Sequence, residues 1–262
     1  MLVLRQQRQF WLLAAAALIT LSAGLGLRDP WPPDEPRFAL VARDMVHNGE
    51  WLFPRRNGEL YPDKPPLFMW LIALGYQTTG SLRLAFLLPS LLAGLATLAL
   101  VTDLARRLWN PRTGLLAGWA LLLSFQFCWQ SRFAQIDALL VGWTTLGLYG
   151  LCRHLLLGPA WGWYAIAWLA MGAGVISKGV GFLPALLLLP WGFAAWRRWR
   201  PLPAQRADPR WLLGLLMLVP VLAWLVPMLT AVGEDPQLQA YRDNILHRQT
   251  HERFAHAWHH HH

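Results

Sequence analysis

Residues 67–76 read Leu67-Phe68-Met69-Trp70-Leu71-Ile72-Ala73-Leu74-Gly75-Tyr76, and whether this run crosses a bilayer decides the orientation of every later segment. As a helix it rises 1.5 Å per residue and reaches about 15 Å, half of a hydrocarbon core of roughly 30 Å. It is therefore read as an interfacial or half-buried helix. Seven longer apolar runs flank it, at 10–27, 84–102, 114–129, 138–151, 161–176, 182–196 and 211–232, and each is expected to be a transmembrane helix. With the N-terminus inside, seven crossings put Arg5 and Arg8 in the cytoplasm, together with the connections that hold Arg106, Arg107, Arg112, Arg153, Arg197, Arg198, Arg200, Arg206 and Arg210. Counting 67–76 as an eighth span inverts the later loops and carries the arginine-rich 197–210 connection outside, against the positive-inside bias.

Composition points the same way. Of 262 residues, 55% are hydrophobic and 14% charged, with a mean hydropathy of +0.31, whereas soluble domains carry about 25% charged residues. This balance indicates an all-α polytopic membrane protein and excludes a disordered chain, a collagen, a coiled coil and a disulfide scaffold. Cys128 and Cys152 both lie inside apolar runs and form no CxxC motif. The net charge of +9 sits at the ends of apolar segments without an aromatic-interleaved stripe, so no nucleic acid is expected as a partner. Residues 10–27 follow basic residues as a secretory signal would. They are long for one, and 28–33 do not read as a cleavage site, so the run is taken as a signal-anchor span.

Eleven of the fourteen acids fall in two segments, 28–65 after the first span and 232–262 after the last. A loop of this length is more than a connector needs, and such loops carry function. Within 28–65 the pattern predicts a helix over 36–47, with Asp34 and Glu35 at its N-cap and first turn and Asn48-Gly49 at its end. Phe38, Leu40, Val41, Met45 and Val46 give that helix an apolar side suited to a membrane surface. Asp34 alone reads equally well as a helix cap. Its company favours a functional role, because Arg37, Arg55, Arg56, Asp63 and Lys64 share the loop.

Arginine supplies 21 of the 23 basic residues, and the two lysines, Lys64 and Lys178, both fall on the outer side of this topology. A lysine is a compact point charge suited to a phosphate; the competing explanation for Lys178 is snorkelling at a span end. Arg132 and Asp137 join the same face from the loop between spans three and four. Asp137 is the only acid between Asp103 and Asp208, and an acid at membrane depth is a functional candidate. His247 and His251 lie four apart, on one face of a helix. They are read first as solvated side chains, with a divalent ion such as zinc held by Asp63 and the two histidines as the alternative. The terminal histidine run is given no chemistry.

The ordered series Asp34-Glu35-Pro36-Arg37, Tyr61-Pro62-Asp63-Lys64-Pro65-Pro66, Arg132 with Asp137, Ser177-Lys178-Gly179, and Tyr241-Arg242-Asp243-Asn244 with Gln249-Thr250 and Arg253-Phe254 resembles membrane-embedded glycosyltransferases of the GT-C class, in the branch of protein O-mannosyltransferases and the lipid A aminoarabinose transferase. The resemblance implies a bacterial inner-membrane enzyme, with its N-terminus cytoplasmic and its active face periplasmic. Such an enzyme moves a sugar with inversion from a polyprenyl-phosphate carrier to a lipid A, protein or glycan acceptor. It implies Asp34, with Glu35, as the catalytic acids, Asp34 being the base for the acceptor. The donor phosphate would meet Lys64, Lys178, Arg55, Arg56 and Arg253, with Arg37, Asp63, Arg83, Arg132 and Asp137 in support. No cofactor is required beyond a possible divalent ion, a site on which Asp63 stands where the family often has Glu. Residues 1–262 are then an N-terminal module of a longer enzyme, with 28–65 as the catalytic outer loop and 232–262 as a second outer segment. A non-catalytic lipid-binding scaffold and a secondary transporter are the competing classes. The second predicts mid-membrane charges and internal repeats, neither of which the sequence displays.

Overall fold

The computed structural model describes residues 2–199, 203 and 208–246; Arg253, His247 and His251 lie outside the described residues. Helix α1 (Leu2–Ser22) leads through a loop to α2 (Asp34–Asn48), a hairpin of β1 (Arg55–Arg56) and β2 (Glu59–Leu60), and α3 (Leu67–Thr79). A short α4 (Leu82–Ala85) runs into α5 (Leu88–Leu108), followed by α6 (Pro111–Leu122), α7 (Phe125–Ser131), α8 (Ile136–Leu156) and α9 (Trp161–Lys178). A 3-10 segment, Leu183–Leu187, continues into α10 (Leu188–Trp196), a second, Pro209–Met217, continues into α11 (Leu218–Ala231), and α12 (Pro236–Asp243) follows.

The architecture is all-helical apart from the hairpin, but the seven-span count is not reproduced as seven clean crossings. Among the described residues two continuous helical stretches, Leu82–Leu108 and Pro209–Ala231, are long and apolar enough to cross a membrane, at 27 and 23 residues. The apolar helix Leu183–Trp196 is shorter. The run at 114–129 is broken at Leu123 and Ser124 between α6 and α7, where the Leu123 and Ser124 N–H groups turn back to Trp119 and Leu121 carbonyls. Only 11% of the Pro209–Ala231 window is buried within the protein. Leu212, Leu215, Val219, Leu222 and Val226 on it are exposed, an apolar surface larger than a water-facing protein tolerates.

Two further expectations are corrected by packing. Helix α2 starts at Asp34 rather than Pro36, and its N-cap position is Pro33, which has no capping side chain; Asp34 is therefore not a cap. The helix ends as expected at Gly49, whose left-handed φ of 70° suits a residue without Cβ and whose N–H returns to the Met45 carbonyl. The apolar side of α2 also meets protein instead of membrane. Phe38, Val41 and Met45 are buried with Phe68, Met69 and Ile72 of α3, and the Phe38 and Phe68 rings meet edge-on with centroids 5.2 Å apart. Burial of each such side chain contributes about 1.5–3 kcal/mol, so α2 and α3 form one rigid layer under the outer loop.

Helices α8 and α9 form an antiparallel hairpin whose close approach depends on Gly150. A Cβ there would lie 2.3 Å from the Trp163 carbonyl oxygen and 2.8 Å from the Ala167 Cβ. Gly150→Val is expected to force the pair apart and destabilise the protein by about 1–3 kcal/mol, read as a lower unfolding temperature in detergent. An unchanged unfolding temperature would show that the pair tolerates the extra volume.

Candidate active site

Neighbouring residues on a helix diverge by about 100°, and at the start of α2 this sends two adjacent acids to different surroundings. Asp34 is half exposed, hydrogen-bonds with Arg37 one turn later, and lines a cavity. Glu35 turns inward and is 3% exposed. Its carboxylate accepts from both Arg28 nitrogens at 2.5 and 2.8 Å, from the Trp31 N–H at 2.7 Å and from the Ala134 N–H at 2.7 Å. Arg28 also donates to the Arg132 carbonyl at 3.0 Å, and Arg132 to the Ala23 carbonyl at 3.0 Å. Glu35 thus ties the first loop to the loop before α8, and no oxygen of it is left to face a substrate.

The hairpin forms the second wall. Asn57 and Gly58 take φ of 53° and 85°, the two positive angles that a two-residue type I′ turn requires and that Asn-Gly supplies best. The Asn57 N–H donates to Asp44 of α2 at 2.8 Å. Past β2, Tyr61 is 4% exposed and Arg56 lies 5.8 Å from its ring centroid. Pro65 and Pro66 then halt the extended chain and start α3. The third wall comes from helix ends. Asp137 opens α8 and Lys178 closes α9, and the two are hydrogen-bonded as an ion pair.

These walls enclose a cavity of about 430 Å³ lined by Asp34, Arg37, Phe38, Tyr61, Asp63, Lys64, Gln135, Ile136, Asp137 and Lys178. Three carboxylates and three cations face it from four separate stretches of chain. Burial alone would lower the Arg37 guanidinium, but the bond to Asp34, helped by the charges of Asp34 and Asp63, holds it above its ordinary range. Burial, and after it the Asp63 carboxylate, pushes the Tyr61 phenol up to about 12. Tyr61 is therefore a neutral hydroxyl donor at physiological pH.

Other candidates lie elsewhere. Arg55 is paired with Glu50 at 2.7 Å, Arg83 with Asp29 at 2.8 Å, and Arg132 is held by the loop carbonyl, so none of these lines the cavity. Among the described residues no three His, Cys, Asp or Glu side chains cluster as metal ligands. The sequence gives Tyr61 no role beyond its place in the 61–66 motif, and gives Gln135 and Arg28 none. The Asn57-Gly58 pair was a readable hairpin signal, which would have turned attention to Tyr61, whereas nothing local marks Arg28 as the partner of Glu35. A second, apolar cavity of about 760 Å³ lies between α3, α5 and α8, lined among others by Leu74, Leu92, Leu100, Leu139, Trp143 and Leu146.

With this geometry in view, residues 63–225 match the family model of dolichyl-phosphate-mannose-protein mannosyltransferases. The chain belongs to this family. It is 36% identical over 207 residues to the undecaprenyl phosphate-alpha-4-amino-4-deoxy-L-arabinose arabinosyl transferase of Pseudomonas aeruginosa (strain UCBPP-PA14), covering 75% of this chain and 37% of the relative. The protein of the same description from Pseudomonas savastanoi is 31% identical over 203 residues, 71% of this chain and 36% of the relative. The chain therefore spans little more than a third of the length of these curated relatives. Among solved structures, ArnT from Cupriavidus metallidurans bound to undecaprenyl phosphate superposes with a TM-score of 0.78 at 27% identity, over 93% of this chain and 44% of that one. The Archaeoglobus fulgidus oligosaccharyltransferase shares the fold alone, with a TM-score of 0.57 at 17% identity over 89% of this chain and 32% of its own. The family expected from the motifs is thus the family found, and the fold is the helical GT-C type of polytopic membrane protein.

Proposed function

We propose that this chain forms a membrane module of an inverting glycosyltransferase. It would transfer a sugar, of the aminoarabinose type, from undecaprenyl phosphate to lipid A at the periplasmic face of a bacterial inner membrane. The observation that carries the reading is the convergence of Asp34, Arg37, Asp63, Lys64, Asp137 and Lys178 on one cavity. Relatives described as undecaprenyl-phosphate-linked arabinosyl transferases support the donor class. The apolar cavity between α3, α5 and α8 suits the prenyl chain of such a carrier.

In this reading Asp34 accepts the proton of the attacking acceptor oxygen, whether hydroxyl or monoprotonated phosphate. That oxygen bonds to the anomeric carbon from the face opposite the carrier. The bond to the carrier phosphate breaks and both its electrons leave with the phosphate, inverting the carbon. Charge grows on that phosphate in the transition state, and Lys178 and Lys64 stabilise it. Asp137 holds Lys178 in place until the phosphate arrives. Glu35 is an anchor for the helix that carries Asp34. Nothing in the cavity favours the scaffold or transporter readings.

The test is lipid mass spectrometry on membranes that carry the full-length protein, supplied with undecaprenyl-phosphate-linked sugar. Consumption of the donor with a matching mass gain on lipid A is expected; a folded, inserted protein that consumes no donor would refute the reading. Lys178→Ala is expected to raise the apparent donor KM about ten-fold or more, the scale of a lost charge-assisted contact, and to leave acceptor KM unaltered. An unchanged donor KM would remove Lys178 from the phosphate site.

A further inference from the structure

The chain between β2 and α3 is a partition one strand thick. Tyr61 and Asp63 face the Asp34 cavity, whereas Leu60 and Pro62 face the other way, the alternation of an extended segment. On that other side, between the hairpin and α12, is a separate cavity of about 410 Å³ to which Arg55, Glu59, Gln237, Tyr241 and Asn244 contribute polar groups. Its volume lies within the roughly 300–1,000 Å³ of small-molecule sites.

Tyr241 is the telling residue. Its side chain is 1% exposed, packs with Ile176, Trp224, Met228 and Val232, and meets the Phe53 ring edge-on at 5.5 Å. A phenylalanine would serve that packing equally. Among the described residues the buried Tyr241 hydroxyl has no hydrogen-bond partner, a costly arrangement, and the residue lines this cavity.

The remaining groups say which kind of ligand. Arg55 and Glu59 cancel in charge, and Arg55 already carries Glu50 as counter-ion and donates to the Gly58 carbonyl. An isolated phosphate would find no net positive field here. Two side-chain amides, a carboxylate, a guanidinium and a phenol instead offer mixed donors and acceptors, the set that neighbouring sugar hydroxyls need. We propose that this cavity is a saccharide subsite that holds the carbohydrate body of the acceptor while its reacting oxygen reaches round the partition into the Asp34 cavity. The inference deepens the transferase reading and rests on it for the identity of the acceptor.

The test uses the purified full-length protein and a phosphate-free glucosamine disaccharide as probe, with binding followed by saturation-transfer NMR. Tyr241→Phe is expected to weaken binding about 3- to 10-fold, one hydrogen bond's worth, and Tyr241→Phe with Asn244→Ala by more than ten-fold. Asp34→Asn is expected to bind the probe like the unmodified protein. In transfer assays the same two variants raise acceptor KM by matching factors and leave donor KM and kcat unaltered. Equal binding by all variants, no binding by the unmodified protein, or the same Tyr241 dependence for inorganic phosphate would overturn the subsite. Probe binding that depends on Tyr241 in a protein that transfers no sugar would defeat the transferase reading and keep the subsite. Transfer that is indifferent to Tyr241→Phe would do the reverse.

Discussion

Asp34→Asn is expected to lower sugar transfer about 10²- to 10⁴-fold, the range associated with loss of a positioned general base, while leaving the unfolding temperature close to that of the unmodified protein. Both halves follow from the geometry. The Asp34 side chain is 48% exposed and its ion pair to Arg37 lies at the cavity surface, where such pairs contribute about 0–1 kcal/mol. An amide keeps the shape and the acceptor oxygen for Arg37 but cannot take up a proton at neutral pH. Membranes bearing the variant should therefore contain inserted protein that leaves the donor unconsumed. Turnover within a factor of two of normal would end the assignment of Asp34 as base.

Glu35, next door, should give the opposite pattern. Replacing it with Ala removes the acceptor for four N–H bonds and leaves the Arg28 guanidinium against the Phe86 and Phe133 rings, 5.4 and 4.8 Å from their centroids. Breaking a buried ion pair from one side costs about 3–5 kcal/mol, so Glu35→Ala is expected to fall well below Asp34→Asn in unfolding temperature and in yield of monodisperse protein. Glu35→Gln should lie between the two, since it keeps one acceptor oxygen. If Glu35→Ala unfolds at the normal temperature yet loses turnover, the anchor role is wrong and Glu35 acts on the substrate.

The sequence reading reached the cavity through scarcity. Asp137 is the only acid between Asp103 and Asp208, and two lysines beside 21 arginines are conspicuous; both lysines line the same cavity. The reading failed where a partner is remote. Asp34 and Glu35 read together because they are adjacent, and the Arg28 guanidinium and the Ala134 N–H, 99 residues away, give Glu35 surroundings that Asp34 does not share. The arginines at Arg55, Arg83 and Arg132 matched the expected face but are claimed by carboxylates or carbonyls within it. Helix α2 was given a membrane-facing side because its apolar stripe was legible and its partner, α3, was not. Span boundaries drifted for a related reason. Apolar runs report where lipid or protein can cover a helix, and the break at Leu123 and Ser124 changes neither the composition nor the period of its run.

Gly150 carries a consequence for the interpretation of natural or random variants. It touches none of the cavity residues, and along α8 it stands about 20 Å from Asp137 at 1.5 Å per residue. Yet the hairpin that it closes is what sets Asp137 against Lys178, one at the head of α8 and one at the tail of α9. A genetic screen for lost transfer would score a bulky substitution at Gly150 alongside those at the charged residues. Only abundance or thermal stability of the variant would reveal that its lesion is architectural rather than chemical.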